Sequence, residues 1–372
     1  MSLQKNSSAV RRFAMLMKFA AWLQNIPNKV SPPPFRLIQI GSAFWQSRAL
    51  NVAVCLDIAS ILGDGSLTVE VIAARISVQA DAVYRLLRML AAMGIFEEVS
   101  PRLFKNNGLS AYLREDNPKN VRAMILMHNS VEMSQPWYEQ LEQGVRSGEV
   151  PFQIAHGQEL YAYMDDHAEF DSLFARAMDS VEALTGDSFA TDFDWGQFDR
   201  IIDVGGSKGS KSLAILKRYS HLTALVFDRN QVIQTAETYW SDKESPALLS
   251  RITYQAGDLL ESVPLAKDDK DIYLLSAVLH GMDDENCVKV LRNLTTASFG
   301  TGARIALMEL VVSELNADFS SAAFDMQMFM GTQGRERTLP EWQNLFDQSG
   351  LTLEEEVGPQ SIGKILVLKP KD

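Results

Sequence analysis

Cysteine is nearly absent from this chain of 372 residues: Cys55 and Cys287 stand alone and far apart. That excludes a disulfide framework and suits a reducing compartment, so a cytoplasmic location is expected. Histidine is also scarce, with five scattered copies, and no Cys/His spacing calls for a metal site. No apolar run reaches the length of a bilayer span, so no membrane segment is expected. Internal repeats and low-complexity tracts are missing too. What remains is ordinary globular composition, 46% apolar and 22% charged, with length for two domains and a substantial core.

Acids are missing from one region. Residues 1–50 hold seven Lys and Arg and no Asp or Glu, which leaves 28 basic against 47 acidic residues, a balance of −19, for the rest. An acidic body binds phosphates poorly, so no nucleic-acid partner is expected. The basic start reads as an amphipathic arm (Val10, Phe13, Leu16, Met17, Ala20, Ala21) that packs on the body or on a partner subunit. A targeting peptide is the other reading. Ser31-Pro32-Pro33-Pro34 is then expected to be a stiff, non-helical connector.

Residues 57–113 carry the pattern of a winged helix-turn-helix. LDIASIL, SLTVEVIAARI and QADAVYRLLRMLAAMGIF read as three helices, and the segment from Phe96 to Arg114 as a short hairpin and return. DNA reading and a packing or dimerisation role are both open to such a module. The third helix offers only Arg85 and Arg88, beside Asp81, in an acidic chain, which favours packing. Residues 118–190 are again helical, and Asp194-Trp195-Gly196 marks a boundary. The expected domains are residues 1–190, mostly helical, and residues 191–372. From residue 200 strands and helices alternate, which predicts a Rossmann-like, doubly wound α/β sheet closed by an antiparallel pair at Leu351–Val357 and Ile362–Leu368.

The second half is organised around Arg200 to Asp228, RIIDVGGSKGSKSLAILKRYSHLTALVFD. It reads as strand, glycine turn, helix and strand, ending on an acid. Such a turn brings a ligand to backbone N–H groups, and the acid can accept from ribose hydroxyls. Gly205-Gly206-Ser207-Lys208-Gly209 also satisfies G-x-S-x-G, the turn that exposes a nucleophilic serine in α/β-hydrolases. A ligand-free glycine turn is a third reading.

Other strand ends bear on the choice. Gly257-Asp258 follows the third strand, so Asp203, Asp228 and Asp258 line one edge with acids. That edge opposes a pyrophosphate and suits a ligand with hydroxyls, an adenine amino group and positive charge, as S-adenosylmethionine has. His280 lies just beyond the fourth strand, where ligands bind in open α/β sheets. Glu309 ends the fifth strand and Glu336 precedes the next helix, and together they can orient an imidazole. Methionines at 127, 133, 164, 178, 326, 328 and 330 suit a flat aromatic ligand, although 326, 328 and 330 do not share one helical face.

These pieces carry a resemblance. DVGG at the turn, FD at 227–228, GDLLESVP at 257–264, VLHGMDDENC at 278–287 and GRERTLPEW at 334–342 resemble, in order and spacing, the small-molecule O-methyltransferases that use S-adenosylmethionine. This is the group of plant caffeic-acid-type and bacterial natural-product enzymes, and the winged-helix half resembles its dimerisation domain. The resemblance implies a homodimer that methylates a hydroxyl of a small, aromatic acceptor and releases S-adenosylhomocysteine. It implies His280 as general base, flanked by Glu309 and Glu336. The cofactor set is then Gly205 and its turn for the methionine part, Asp228 for the ribose, Asp258 and Leu259 for the adenine, with Asp203, Ser207, Gly257 and Ser276 beside them. Met178, Asp325, Met326 and Phe329 are implied as the acceptor pocket. The departures from the family pattern are Ser207 for a glycine, Lys208 and Lys211 in the loop, His280-Gly281-Met282 for His-Asp-Trp, and Ser276 for the plant enzymes' lysine. A carbon- or nitrogen-methylating relative, a catalytically silent binder, a serine hydrolase using Ser207 and a winged-helix transcription factor are the alternatives.

Overall fold

The computed structural model describes residues 2–361 and 363–371. The chain divides into two compact units: residues up to Trp22 together with those from Asp187 onward, and Leu23–Gly186. The sequence places the division at 190/191 and keeps the first residues with the helical part. In the structure, Leu3 is instead buried in the later unit, and Gln4 forms an antiparallel bridge with Phe193. The Gln4 side-chain amide exchanges hydrogen bonds with the Gly358 backbone, at 3.2 and 2.8 Å. Backbone pairing of this kind leaves no periodicity to read.

The unit Leu23–Gly186 contains the winged helix. Helices Ile58–Leu62, Val69–Ile76 and Ala80–Ala92 stand beside a three-stranded antiparallel sheet of Ser66–Thr68, Leu103–Asn106 and Phe96–Ser100. Thr68 caps the second helix by accepting the Val71 N–H at 3.4 Å. Val83, Leu87 and Leu90 bury one face of the third at helical spacing. Gly94, at φ 78°, turns the chain after it. Arg85 pairs with Asp81 at 3.0 Å and Arg88 lies over the Tyr84 ring, so both basic side chains are engaged within their own helix. The proline run is a correction: Pro33 and Pro34 open the helix Pro33–Gly41, because proline suits a first helical turn, and the non-helical break shrinks to Ser31-Pro32. Apolar side chains of Ser7–Val30 and Pro33–Gly41 stay exposed, among them Leu16, Phe19, Trp22, Leu37 and Ile38.

The other unit is built on one seven-stranded sheet. In chain order the strands are β1 Arg200–Val204, β2 Thr223–Asp228, β3 Ile252–Ala256, β4 Asp271–Ser276, β5 Arg304–Glu309, β6 Leu351–Val357 and β7 Lys364–Pro370. Their spatial order is β6-β7-β5-β4-β1-β2-β3. The first five run parallel, and β7 is antiparallel to both β5 and β6. The closing strand begins two residues later than expected, and Ile362 lies outside the described residues.

Alternation along the strands fills both faces. Ile202, Tyr273 and Leu275 pack on one side with Leu291, Leu294, Trp342 and Phe346. Ile201, Ile272 and Leu274 pack on the other with Leu213 and Leu216. At the start of β1, Arg200 donates its Nε–H to Asp271 at the start of β4, at 3.0 Å. The strand order reverses between β1 and β4, so their carboxyl ends open a crevice of the kind where α/β sheets hold ligands. Among the described residues no helix is long and apolar enough to cross a membrane.

Thr338 opens the helix Leu339–Gln348 with a capping box: its Oγ1 accepts the Glu341 N–H at 3.4 Å, and the Glu341 carboxylate accepts the Thr338 N–H at 2.8 Å. Thr338→Ala is expected to lower stability by about 1 kcal/mol with an unchanged denaturant slope, read in urea unfolding followed by fluorescence.

Candidate active site

The glycine turn leaves β1 through Gly205, at φ 72°. A Cβ on Gly205 would meet Val278 Cγ2 at 2.8 Å, so the turn lies directly against the segment that follows β4. Ser207 adopts φ 52°, a left-handed conformation that favours glycine. Its main-chain N–H donates to Asp228 Oδ2 at 2.8 Å, while the Arg229 N–H donates to Oδ1 at 2.7 Å. Each carboxylate oxygen keeps a further lone pair for a ligand.

Asp203 departs from the expected acid edge. It is 2% exposed, accepts the Ser212 Oγ–H at 2.6 Å, and would lie 2.5 Å from a Cβ on Gly206. Strand alternation turns this side chain inward beneath the turn, and the exposed edge is left to Asp228 and Asp258. Asp228 ends β2, and Asp258 follows the adjacent parallel strand β3. Asp258 is exposed; its Oδ1 accepts the Leu260 N–H at 2.8 Å. Gly257 lies so close to the Phe227 ring that a Cβ would overlap it. Leu259 packs on the core beside it, and half-buried Ser276 closes β4. Two carboxylates for hydroxyl and amino groups, with glycines that let backbone approach, fit an adenosine-bearing ligand.

Beyond β4 the chain passes Ala277, at φ 53°, and enters a tight turn at Leu279–Gly281 that carries His280. Glu309 and Glu336 act on this turn in different ways. Glu309 Oε1 accepts the backbone N–H of Val278 at 3.1 Å and of Leu279 at 3.0 Å. Glu336 Oε1 lies 2.7 Å from His280 Nδ1. Glu309 therefore orients the main chain, and Glu336 orients the imidazole. The remaining oxygens, Glu309 Oε2 and Glu336 Oε2, are buried without a protein partner.

Burial pushes the Glu309 carboxyl above its ordinary range, and the Glu336 charge adds to this against the opposing effect of His280 and the backbone donors. For His280 burial acts downward, yet the Glu336 hydrogen bond and the two nearby carboxylates outweigh it, and the imidazole is held above its ordinary value. Glu336 is the partner bonded to the ring, so its charge is the principal support for imidazolium.

Three residues that the sequence does not single out complete the site. Gly334 passes so close to the His280–Met282 backbone that a Cβ would overlap it. Arg337 is fully buried: Nη1 donates to Leu279 O at 3.3 Å, Nη2 to Met282 O at 2.9 Å, and Nη2 also to Asp284 at 2.7 Å. A two-residue parallel pairing of Arg337-Thr338 with Val311-Val312 carries this loop alongside the extension of β5, which Glu309 ends. Phe324 lies 6.0 Å from the His280 ring at an interplanar angle of 27°.

The expected acceptor set is divided. Asp325 accepts the Glu336 N–H at 2.9 Å and so holds the loop. Met326 is exposed and Phe329 half-buried on the same helix, Phe319–Gly331. Met178 lies on Ala168–Thr185 of the helical unit. Met127, Met133, Met164 and Met330 are core residues. Cys287 donates to Leu279 O at 3.2 Å, and burial pushes its thiol up to about 12. Among the described residues no hydrogen bond joins His280 to Ser207, as a hydrolase triad would require.

Two family models match the chain: an O-methyltransferase dimerisation domain over residues 38–116 and an O-methyltransferase domain over residues 138–352. A phenazine O-methyltransferase, PhzM, of Lysobacter antibioticus is 30% identical over 318 residues, covering 86% of this chain and 91% of the relative. A phenazine-1-carboxylate N-methyltransferase of Pseudomonas aeruginosa is 29% identical over 320 residues, 86% and 92% of the two chains. Among solved structures, CalO1, a methyltransferase in calicheamicin biosynthesis in its SAH-bound form, superposes with a TM-score of 0.78 at 29% identity, covering 91% of this chain and 98% of its own.

A raised His280 value ties protonation to stability. The bound proton contributes stability that is fully present below the ordinary value of 6.5 and is lost as pH rises through the folded-state value. Ring-proton NMR is expected to place the His280 midpoint above 6.5, and Glu336→Gln is expected to lower it, because the hydrogen-bonded charge is gone. Gly334→Ala is expected to destabilise the unit by several kcal/mol or to displace the His280 turn, read by thermal melts and by the same His280 resonances.

Proposed function

The chain belongs to the O-methyltransferase family, and on that premise we propose that it moves the methyl group of S-adenosylmethionine to a hydroxyl of a small aromatic molecule, with His280 as general base. The hydrogen bond between His280 Nδ1 and Glu336 carries this reading. S-adenosylmethionine supplies an electrophilic methyl carbon next to a sulfonium. Asp228 would hold the ribose hydroxyls and Asp258 the adenine edge, with Gly205, Ser207, Gly257, Leu259 and Ser276 around them. Met326, Phe329 and Phe324 would contact the acceptor from the helix Phe319–Gly331.

The proton step follows from the imidazole's two nitrogens. With Nδ1–H donating to Glu336, the Nε2 lone pair is left to take the acceptor's hydroxyl proton. A phenol near 10 and a histidine near 6.5 differ by roughly 3.5 units, or about 5 kcal/mol against full transfer. Raising His280 shrinks that gap, and Glu336 stabilises the imidazolium that forms. Glu309 keeps the turn in place by accepting two backbone N–H groups, those of Val278 and Leu279. Positioning of the reactants can contribute roughly 7–11 kcal/mol, and the base a further ~10²–10⁴-fold.

The raised value has an opposite effect on population, since only the neutral ring accepts a proton. Turnover is expected to rise with pH through a midpoint above 6.5. His280→Gln is expected to lower turnover by ~10²–10⁴-fold while the protein stays folded, with a lowered melting temperature because buried Glu336 loses its imidazole partner; near-normal turnover on the true acceptor would remove His280 from the mechanism. Calorimetric titration of S-adenosylhomocysteine tests the cofactor reading without an acceptor. Relatedness to an N-methyltransferase keeps an amine acceptor as the second reading; paired phenol and arylamine screens separate the two. The matched dimerisation domain and the exposed apolar faces of Ser7–Val30 and Pro33–Gly41 support a homodimer formed through the N-terminal half.

A further inference from the structure

The turn that would hold the cofactor breaks its own local rule. Ser207 takes a left-handed conformation, φ 52°, where a side chain is disfavoured, and Lys208 adds a charge beside it. Hydrogen bonds restrain this turn from three directions. Asp228 accepts the Ser207 N–H at 2.8 Å. Trp240 Nε1 donates to the Lys208 carbonyl at 2.6 Å, and the Tyr254 hydroxyl donates to the same carbonyl at 3.3 Å. Trp240 comes from the helix Asn230–Ser241 and Tyr254 from the middle of β3, so two separate elements converge on one oxygen. The Lys208 ammonium lies 4.3 Å from the centre of the Tyr239 ring. Gly209, at φ 81°, then packs against Val226 and Ile252, which fixes the far end of the turn on β2 and β3.

We propose that Trp240 and Tyr254 are positioning residues for the cofactor: their hydrogen bonds to the Lys208 carbonyl hold the Ser207-Lys208 turn in its binding shape. This rests on the reading of the turn as the S-adenosylmethionine site. The physical reasoning is pre-organisation. A left-handed serine relaxes toward commoner backbone angles unless its surroundings over-determine it. Two donors on the next carbonyl and one acceptor on its own N–H supply that restraint before any ligand arrives. The cofactor then binds without ordering the loop, and that saving appears in affinity. Tyr239 complements the pair by seating the Lys208 cation on an aromatic face, which satisfies a charge next to a site for a sulfonium.

The test uses substitutions that delete one donor and keep the ring, Trp240→Phe and Tyr254→Phe, singly and together in the full-length protein. Calorimetric titration of S-adenosylhomocysteine is expected to show a Kd raised about tenfold in the double variant. The KM for S-adenosylmethionine should rise in parallel while kcat changes less than twofold. In ligand-free protein, amide hydrogen exchange at Ser207–Gly209 should speed up, with exchange in β1 and β4 unchanged. Adding Ser207→Gly should recover part of the lost affinity, because glycine adopts the left-handed conformation without strain. Wild-type affinity in the double variant, or weakened binding accompanied by faster exchange throughout the sheet, would overturn the assignment. If the wild-type chain itself fails to bind S-adenosylhomocysteine, the cofactor reading falls instead, and the exchange experiment still decides whether the two donors restrain the turn.

Discussion

Two carboxylates are buried beside one imidazole, and much of the site's architecture answers the cost of putting them there. A buried, unpaired carboxylate costs several kcal/mol. Glu309 meets that cost with two backbone donors from the turn it supports, and Glu336 meets it with the imidazole itself. Each leaves one oxygen unpartnered in the interior. The remaining stress is expressed as a raised Glu309 carboxyl and a raised His280. An imidazole raised in this way is a stronger proton acceptor, and it is also more often protonated at neutral pH; for any proton transfer to it the two effects oppose each other.

Holding Glu336 in reach of His280 requires close approach of two backbones. Gly334 permits it, since no side chain fits between its Cα and the His280–Met282 backbone. Arg337 then closes the arrangement from behind, sharing a buried guanidinium among Leu279, Met282 and Asp284. A second close approach joins this turn to the glycine turn, where Val278 occupies the space a Cβ on Gly205 would need. The His280 turn and the glycine turn thus meet at Val278, whose N–H is bound to Glu309. A shift at any of these positions would therefore reach both turns, and the transfer proposed for this site depends on alignment.

Much of this was legible in the sequence. The alternation of strands with helices and the glycine turn foretold the doubly wound sheet, and the winged-helix pattern foretold the module in Leu23–Gly186. His280, Glu309 and Glu336 were selected because each follows or ends a strand on the ligand edge. Asp203 was selected by the same logic and falls inside the fold, because a side chain one residue before a strand's end points the other way. The proline run was misread because the same residue that breaks a helix interior also starts a helix well. The attachment of residues 2–6 to the later unit had no sequence signal: backbone pairing, the Gln4 amide, the buried Leu3 side chain and the Lys5–Asp194 ion pair join residues far apart in the chain.

By itself the sequence determined which chemistry-bearing groups exist, which strand ends present them, and that the fold is a doubly wound α/β sheet, closed by an antiparallel pair, with a helical partner. These follow from short-range periodicity, turn residues and charge, all of which are local. Only the tertiary structure decided that Glu309 holds backbone while Glu336 holds the ring, that Gly334, Arg337 and Phe324 belong to the site, and that Trp240 and Tyr254 restrain the serine-containing turn. Those pairings join residues tens of positions apart, and they depend on angles and contacts that no spacing along the chain records.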